Sequence, residues 1–187
     1  YRCSITKLDE KGVILKVLEK LDGNPELKVK VGIAQGLVKK DKMEEVISKI
    51  TALGAYEYIP VNMERCNIKI TEQKQERQLK IIKEASEQSH RNSIPEVKLL
   101  TNLNNIDFNN YDLKLLLDEE EAKKIDGRLL SSIEFKNIRS IVFVIGPEGG
   151  IDENERKYYI DNGFIPVSIG DNILRTETAS LAFLAML

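Results

Sequence analysis

Two short stretches near the carboxyl end hold the residues with the most chemistry in them. They are Gly146-Pro147-Glu148-Gly149-Gly150 and Gly170-Asp171-Asn172-Ile173-Leu174-Arg175-Thr176-Glu177-Thr178-Ala179. The first is neither a GxGxxG dinucleotide loop nor a P-loop, because it lacks the GK[ST] that ends one. Pro147 removes an amide donor and stiffens the turn. Gly149 and Gly150 permit positive φ and close backbone approach. Such a loop suits backbone hydrogen bonds to a planar, neutral group better than a phosphate cradle, and a tight turn without a ligand accounts for it as well. In the second stretch, helix capping by Thr176 or Thr178 and the charge of Glu177 near a helix N-terminus explain part of the cluster. They do not explain Arg175, a cation that such a position disfavours. Both stretches follow an apolar strand. In α/β sheets the carboxyl ends of strands are a usual place for ligands, so the two loops are expected to form one small-molecule site.

The elements that must carry these loops are legible from periodicity. Ile141–Ile145 is a continuous apolar run with four β-branched residues, as in a strand buried on both faces. Asp152 and Glu155 form a capping box for a helix ending at Asn162-Gly163. Phe164–Ile169 reads as a strand, and an Ala/Leu-rich helix runs to Leu187. Upstream, Val29–Ala34 and Tyr56–Val61 read as strands. Between them lies a helix capped by Asp41 with Glu44 as reciprocal partner. Its apolar face is Met43, Val46, Ile47, Ile50 and Leu53, and Gly54 stops it. This is the pattern of a parallel βαβ unit. Residues 71–91 form the longest helical pattern, with Leu79, Ile81, Ile82 and Ala85 as its apolar face. Val97–Leu100 is a short strand, 102–110 a loop, Leu113–Leu117 a buried strand, and 121–135 a weak helix broken at Gly127. Residues 1–21 alternate about a turn at Asp9-Glu10-Lys11-Gly12 and read as a β-hairpin, which needs something to pack against. Asp22-Gly23-Asn24-Pro25 is a linker.

Composition sets outer limits. The chain has 187 residues, 28 Lys+Arg against 30 Asp+Glu, and 42% hydrophobic residues. This is an ordinary globular balance with no bulk basic character, so any nucleic-acid binding would have to rest on a local patch. No apolar run is long enough to span a bilayer. Cys3 and Cys66 lie far apart and the chain has one histidine, too few ligands for a zinc site, so no metal is expected. Both cysteines read as reduced, structural thiols of a cytosolic protein. His90 falls on the polar side of a helix end and reads as exposed or capping. Lys74, Arg77, Lys80 and Arg91 could form a basic stripe, but the interleaved Glu76, Glu84 and Glu87 favour a solvated, salt-bridged face.

GPEGGIDENE, GFIPVSIGDNILRTETASLA and, upstream, EASEQSHRNSIPEV (Glu84–Val97) together resemble the RsmE-type 16S rRNA uridine-N3 methyltransferases, a branch of the SPOUT superfamily. The three motifs occur in the expected order, and the resemblance covers about residues 29–187. SPOUT enzymes that methylate the ribose 2′-oxygen look similar at the first loop. They generally carry an Asn/Ser-rich segment where this chain has LRTETA.

The resemblance implies a SPOUT-like α/β fold. Its sheet is mostly parallel, with helices on both faces and a C-terminal trefoil knot. Residues 26–187 would be the methyltransferase domain. Residues 1–25 would be the remnant of a small PUA-like β-barrel RNA-binding domain, most of which lies outside this sequence. It implies S-adenosylmethionine held by three loops: Leu116, Leu117 and Asp118; Gly146, Pro147, Glu148, Gly149 and Gly150; and Ile169, Gly170, Ile173, Leu174, Thr176, Thr178 and Ala179. It implies a cytoplasmic homodimer acting on 16S rRNA in the 30S subunit, with no membrane and no metal. Uridine N3 carries a proton and is a poor nucleophile, so a cation near O2 or O4 would stabilise the developing charge. Arg91 and Arg175 are the candidates for that cation or for phosphate contact, and Glu177 for orienting one of them or removing the proton. Arg91 could instead pair with a surface acid, and Glu177 could simply cap. The alternatives are a SPOUT methyltransferase acting on tRNA or another rRNA position, and a non-catalytic RNA-binding or ribosome-assembly protein.

Overall fold

A computed structural model describes residues 1–23, 25–66, 72–123 and 129–187. The expected hairpin is present: β1 (Arg2–Asp9) pairs antiparallel with β2 (Gly12–Glu19). Its apolar side chains, among them Ile5, Leu8, Val13, Leu15 and Val17, are exposed.

The remaining strands form one sheet of seven: β3 (Lys30–Gly36), β4 (Glu57–Asn62), β5 (Glu96–Val97), β6 (Thr101–Asn102), β7 (Leu113–Leu117), β8 (Ser140–Ile145) and β9 (Ile165–Val167). Their order is β5-β4-β3-β8-β7-β9, with β6 also on β4, and every pairing is parallel. The strand expected at Val97–Leu100 is instead two two-residue strands, Glu96–Val97 and Thr101–Asn102, with 98–100 outside both.

Alternation along β8 shows why the sheet is covered twice. Ile141, Phe143 and Ile145 enter one core, while Val142 and Val144 enter the other. The first core takes Val46, Ile47 and Ile50 of α1 (Lys40–Ala52), Ile82 of α2 (Glu72–Gln88), and Phe183 of α5 (Thr176–Ala185). The rings of Phe143 and Phe183 lie 3.8 Å apart. The second core takes Tyr159 of α4 (Glu153–Asp161) and Phe164, whose rings are 5.0 Å apart. A five-residue helix, α3 (Glu119–Lys123), follows β7. The break expected at Gly127 lies outside the described residues.

Several local expectations change. α1 starts two residues early, with Lys39 as N-cap and no side-chain cap, so Asp41 and Glu44 do not form a capping box. Glu44 is drawn instead to Arg77 of α2, whose Nη2 donates at 2.7 Å. Gly54, at φ +102°, ends α1 as expected, but Leu53 beside it stays exposed. On α2 the buried positions are Gln78, Ile82, Ala85 and Ser86, and Leu79 is exposed. That spacing of four, seven and eight residues is the helical stripe facing α1, and Leu79 falls just off it. Lys80–Glu84 and Lys83–Glu87 pairs make the rest of α2 a salt-bridged face. The helix ends in a left-handed His90 (φ 55°), which is exposed, with the Arg91 amide reaching back to Ser86. The Asp152–Glu155 capping box forms as expected.

Candidate functional site

β3, β8, β7 and β9 are neighbours and parallel, so their carboxyl ends share one edge. A cavity of about 780 Å³ opens there. Its walls are the end of β7, the loop after β8 and the loop after β9, closed by the first turns of α1 and α5.

From the first wall, Leu117 and Asp118 line the cavity, but Leu116 does not. Strand alternation turns Leu116 into the second core, where it is fully buried. From the second wall, Gly146, Pro147, Glu148 and Gly150 line it. Gly149 faces outward against Arg65, whose Nη1 donates to the Gly149 carbonyl at 3.2 Å. From the third wall, Ile169, Gly170, Ile173, Leu174, Thr176 and Ala179 line it, and Thr178 is exposed outside it.

Arg175 and Glu177 stand at the rim. Arg91 does not reach the cavity. Its side chain is 4% exposed, paired with Glu26 and donating to the Thr51 and Ala55 carbonyls at 2.9 and 2.7 Å. It ties the chain entering β3 to the end of α1. The sequence ranked it with the catalytic cations because a lone arginine after a helix carries no sign of its partner.

Neither threonine caps α5. Its N-cap is Arg175, without a side-chain cap. Thr176 spends its hydroxyl across the site, donating to the Gly146 carbonyl at 2.6 Å. Beneath it lies Gln35, fully buried at the end of β3. The Gln35 amide donates to Thr176 Oγ1 at 2.9 Å and to the Gly146 carbonyl at 3.4 Å, and accepts from Ser180 Oγ at 2.7 Å. One side chain thus fastens the β8 loop to α5. The signal in the sequence was a lone amide closing an apolar strand.

The rim also holds residues the sequence did not single out. Lys42 of α1 donates to Glu177 at 3.0 Å. The Glu177 carboxyl is held below its usual range, chiefly by its own backbone N–H. Partial burial opposes this, and the hydrogen bond and charge of Lys42 add to it. Across the cavity, Asp118 accepts from Arg156 of α4 at 2.6 Å.

The donor set fits S-adenosylmethionine. The volume is that of a pocket for a drug-sized ligand. Leu117, Ile145, Val167 and Ile169 give an apolar slot for a flat ring. Ser168 Oγ, on the cavity wall, is buried without a protein partner among the described residues, a hydroxyl placed for a ligand atom. At Gly146 an added Cβ would lie 2.6 Å from Ile151 Cγ1 and 3.2 Å from backbone, so the loop keeps its close turn only with glycine.

A family model described as RNA methyltransferase domain matches residues 25–187. The chain belongs to this RNA methyltransferase family. Ribosomal RNA small subunit methyltransferase E of Bacillus subtilis is 35% identical over 188 residues, covering 96% of this chain and 73% of that protein. A crystal structure of a ribosomal RNA small subunit methyltransferase E from Neisseria gonorrhoeae, bound to S-adenosyl methionine, superposes with a TM-score of 0.86. It is 30% identical, covering 98% of this chain and 76% of that one. The SpoU methyltransferase AviRb of Streptomyces viridochromogenes, solved with AdoMet, shares the fold at a TM-score of 0.54 and 17% identity, over 95% and 67% of the two chains. As a family member, the chain is an S-adenosylmethionine-dependent RNA methyltransferase with an α/β fold. No described helix is long and apolar enough to cross a membrane.

Proposed function

We propose that this chain methylates N3 of a uridine in the 16S rRNA of the small ribosomal subunit. The observation that carries the reading is the convergence of three glycine-freed or apolar loops on one cavity, with Lys42 and Arg175 at its rim. The relatives' names point to small-subunit rRNA, and the LRTETA segment favours base over ribose methylation.

Bound there, S-adenosylmethionine supplies an electrophilic methyl group on a sulfonium. Leu117, Ile145 and Ile169 would flank its adenine, backbone groups of Gly146–Gly150 and Ile169–Leu174 would read the ring edges, and the Ser168 hydroxyl would take one polar group. Gln35 and Thr176 hold the loops in register. Lys42 and Arg175 face the side from which a base would enter, and positioning of the two reactants supplies much of the acceleration. Arg91 belongs to the scaffold in this account.

α5 follows the edge strand β9 yet packs back on α1 and β8, which supports a trefoil-knotted C-terminal segment. Exposed Ile173, Leu174, Met186 and Leu187 around α5 support a homodimer through that helix. Residues 1–25 are read as part of a β-rich RNA-binding module joined to the methyltransferase domain at 26–187. The protein would work in the cytoplasm, on the 30S subunit.

Nucleoside mass spectrometry of small-subunit rRNA from a strain deleted for this protein tests the reading. Loss of 3-methyluridine at one position is expected. Its retention contradicts the reading. Loss of a methylated nucleoside from tRNA or another rRNA position would redirect it to a different SPOUT substrate. An intact methylation pattern with no cofactor binding would leave an RNA-binding scaffold.

A further inference from the structure

A methyl transfer to N3 must dispose of a proton, and the described lining residues offer no evident base. They include no histidine, cysteine or tyrosine. His90, the one histidine of the chain, is exposed at the exit of α2. Histidine and cysteine are the side chains that ordinarily titrate nearest neutral pH.

The lining acids come from every wall. Asp41 stands on α1 beside the cations Lys39 and Lys42. Asp118, Glu119 and Glu120 stand at the end of β7, opposite Arg156. Glu148 and Glu153 follow β8, near Arg65, and Glu177 stands on α5 behind Arg175. A carboxylate, ordinarily protonated only near about pH 4, is a weak acceptor for a proton as tightly held as that on uracil N3. Asp118 is further committed to Arg156. Glu177, the acid nearest the rim cations, is held ionised by its own amide and by Lys42.

What the rim does offer is fixed positive charge. Lys42 is fastened by Glu177 at 3.0 Å, with Glu45 at 3.9 Å behind it, and its side chain stays about a third exposed. The bond to Glu177 raises its pKa, so it stays an ammonium and is not itself a base. Arg175 precedes Glu177 in the chain and is exposed beside it. Lysines in the first turn of α1 and an arginine at the N-cap of α5 are unfavourable for their helices. Such local conflicts are expected where function requires them.

We propose that Lys42, latched by Glu177, is a catalytic cation of this site: with Arg175 it stabilises a uracil anion, and the N3 proton leaves to solvent hydroxide rather than to a side chain. This rests on the uridine-N3 reading above. Hydroxide takes the N3 proton, giving water and an anion shared by N3, O2 and O4. The N3–C bond then forms as the S–C bond breaks, and that electron pair stays on sulfur, which ends as a neutral thioether. The cations act on the anion and the transition state, where charge sits on the carbonyl oxygens.

Single-turnover methylation by the whole chain, on 16S rRNA transcribed with uridine or with 5-fluorouridine, tests this across a range of pH. The N3–H of 5-fluorouridine is the more acidic. The rate should climb about tenfold per pH unit and level off at the substrate's own ionisation. The fluorinated curve should be displaced to lower pH by the difference between the two nucleosides. Lys42→Met should lower the rate about 10²–10³-fold at unchanged S-adenosylmethionine affinity, and Lys42→Arg should restore most of it. A plateau at one pH for both substrates would reveal an enzymic base and overturn the proposal. So would a Lys42→Met rate within threefold of wild type. If no 3-methyluridine forms on either RNA, the uridine-N3 reading itself fails and takes the proposal with it, a result distinct from a curve that forms product but does not move.

Discussion

At the scale of single residues, the site depends on side chains that never touch a substrate. Gln35 is the clearest case. Its amide is buried and bonded to the β8 loop, to Thr176 and to Ser180 at once. Replacing it by leucine keeps the volume but leaves buried polar groups without partners, worth about 1–3 kcal/mol. Gln35→Leu should therefore weaken S-adenosylmethionine binding about 10- to 100-fold by calorimetry, with RNA affinity unchanged. Equal affinity for the cofactor would show that the loops hold their register without it. The sequence displayed Gln35 only as a polar residue at a strand end. Its three partners are 111, 141 and 145 residues away along the chain, which no local pattern can report. The same distance hid Lys42 from Glu177, and Glu26 from Arg91.

At the scale of elements, the arrangement follows from short-range rules more than from any single contact. Val29–Ala34, Asp41–Leu53 and Tyr56–Val61 were legible as a βαβ unit because period 2 gives way to period 3.6 and back. The observed β3, α1 and β4 differ from them by a residue or two at the ends. The capping at Asp152 was legible because both its partners lie within three residues. The caps expected at Asp41, Thr176 and Thr178 fail because competing long-range partners or the preceding residue take over.

Arg91 joins three elements: Glu26 before β3, the carbonyls ending α1, and the exit of α2. Arg91→Ala would remove the charge partner of Glu26 and one donor to each of the Thr51 and Ala55 carbonyls, a loss of about 3 kcal/mol. Denaturant unfolding should show this, while cofactor affinity of the folded fraction stays unchanged. Burial pushes the Glu26 carboxyl up, but the hydrogen bond and charge of Arg91, with the Ser93 and Asn92 amides, outweigh it and hold the pKa below the ordinary value. A depressed carboxylate stabilises the fold above its unfolded pKa of about 4.3 and loses that contribution as pH falls through the folded value. The gap between wild type and Arg91→Ala should thus be full at neutral pH and narrow below about pH 4. A gap that is constant down to pH 3 would mean that charge is not what Arg91 contributes.

At the scale of the molecule, the parallel sheet with two cores places four strand ends on one edge, and everything chemical happens there. That edge was legible because its two loops carry glycines and a misplaced arginine after apolar runs. The cavity's other wall, from α1, was not, since Lys39 and Lys42 look like ordinary surface lysines until the fold brings them beside Arg175. The exposed hairpin at residues 1–21 shows the limit of pattern reading: its strands were plain, and its partner was not.

The central claim is that the three loops bind the methyl donor. Amide chemical shifts of the isotopically labelled chain, titrated with S-adenosylmethionine, test it most directly. The account predicts shifts clustered at 117–120, 146–151 and 168–176, with the Gln35 side-chain amide among them and the hairpin at 1–21 and the α2 exit at 88–97 silent. Saturating cofactor that leaves those three segments unmoved, or that moves the α2 exit instead, would contradict it.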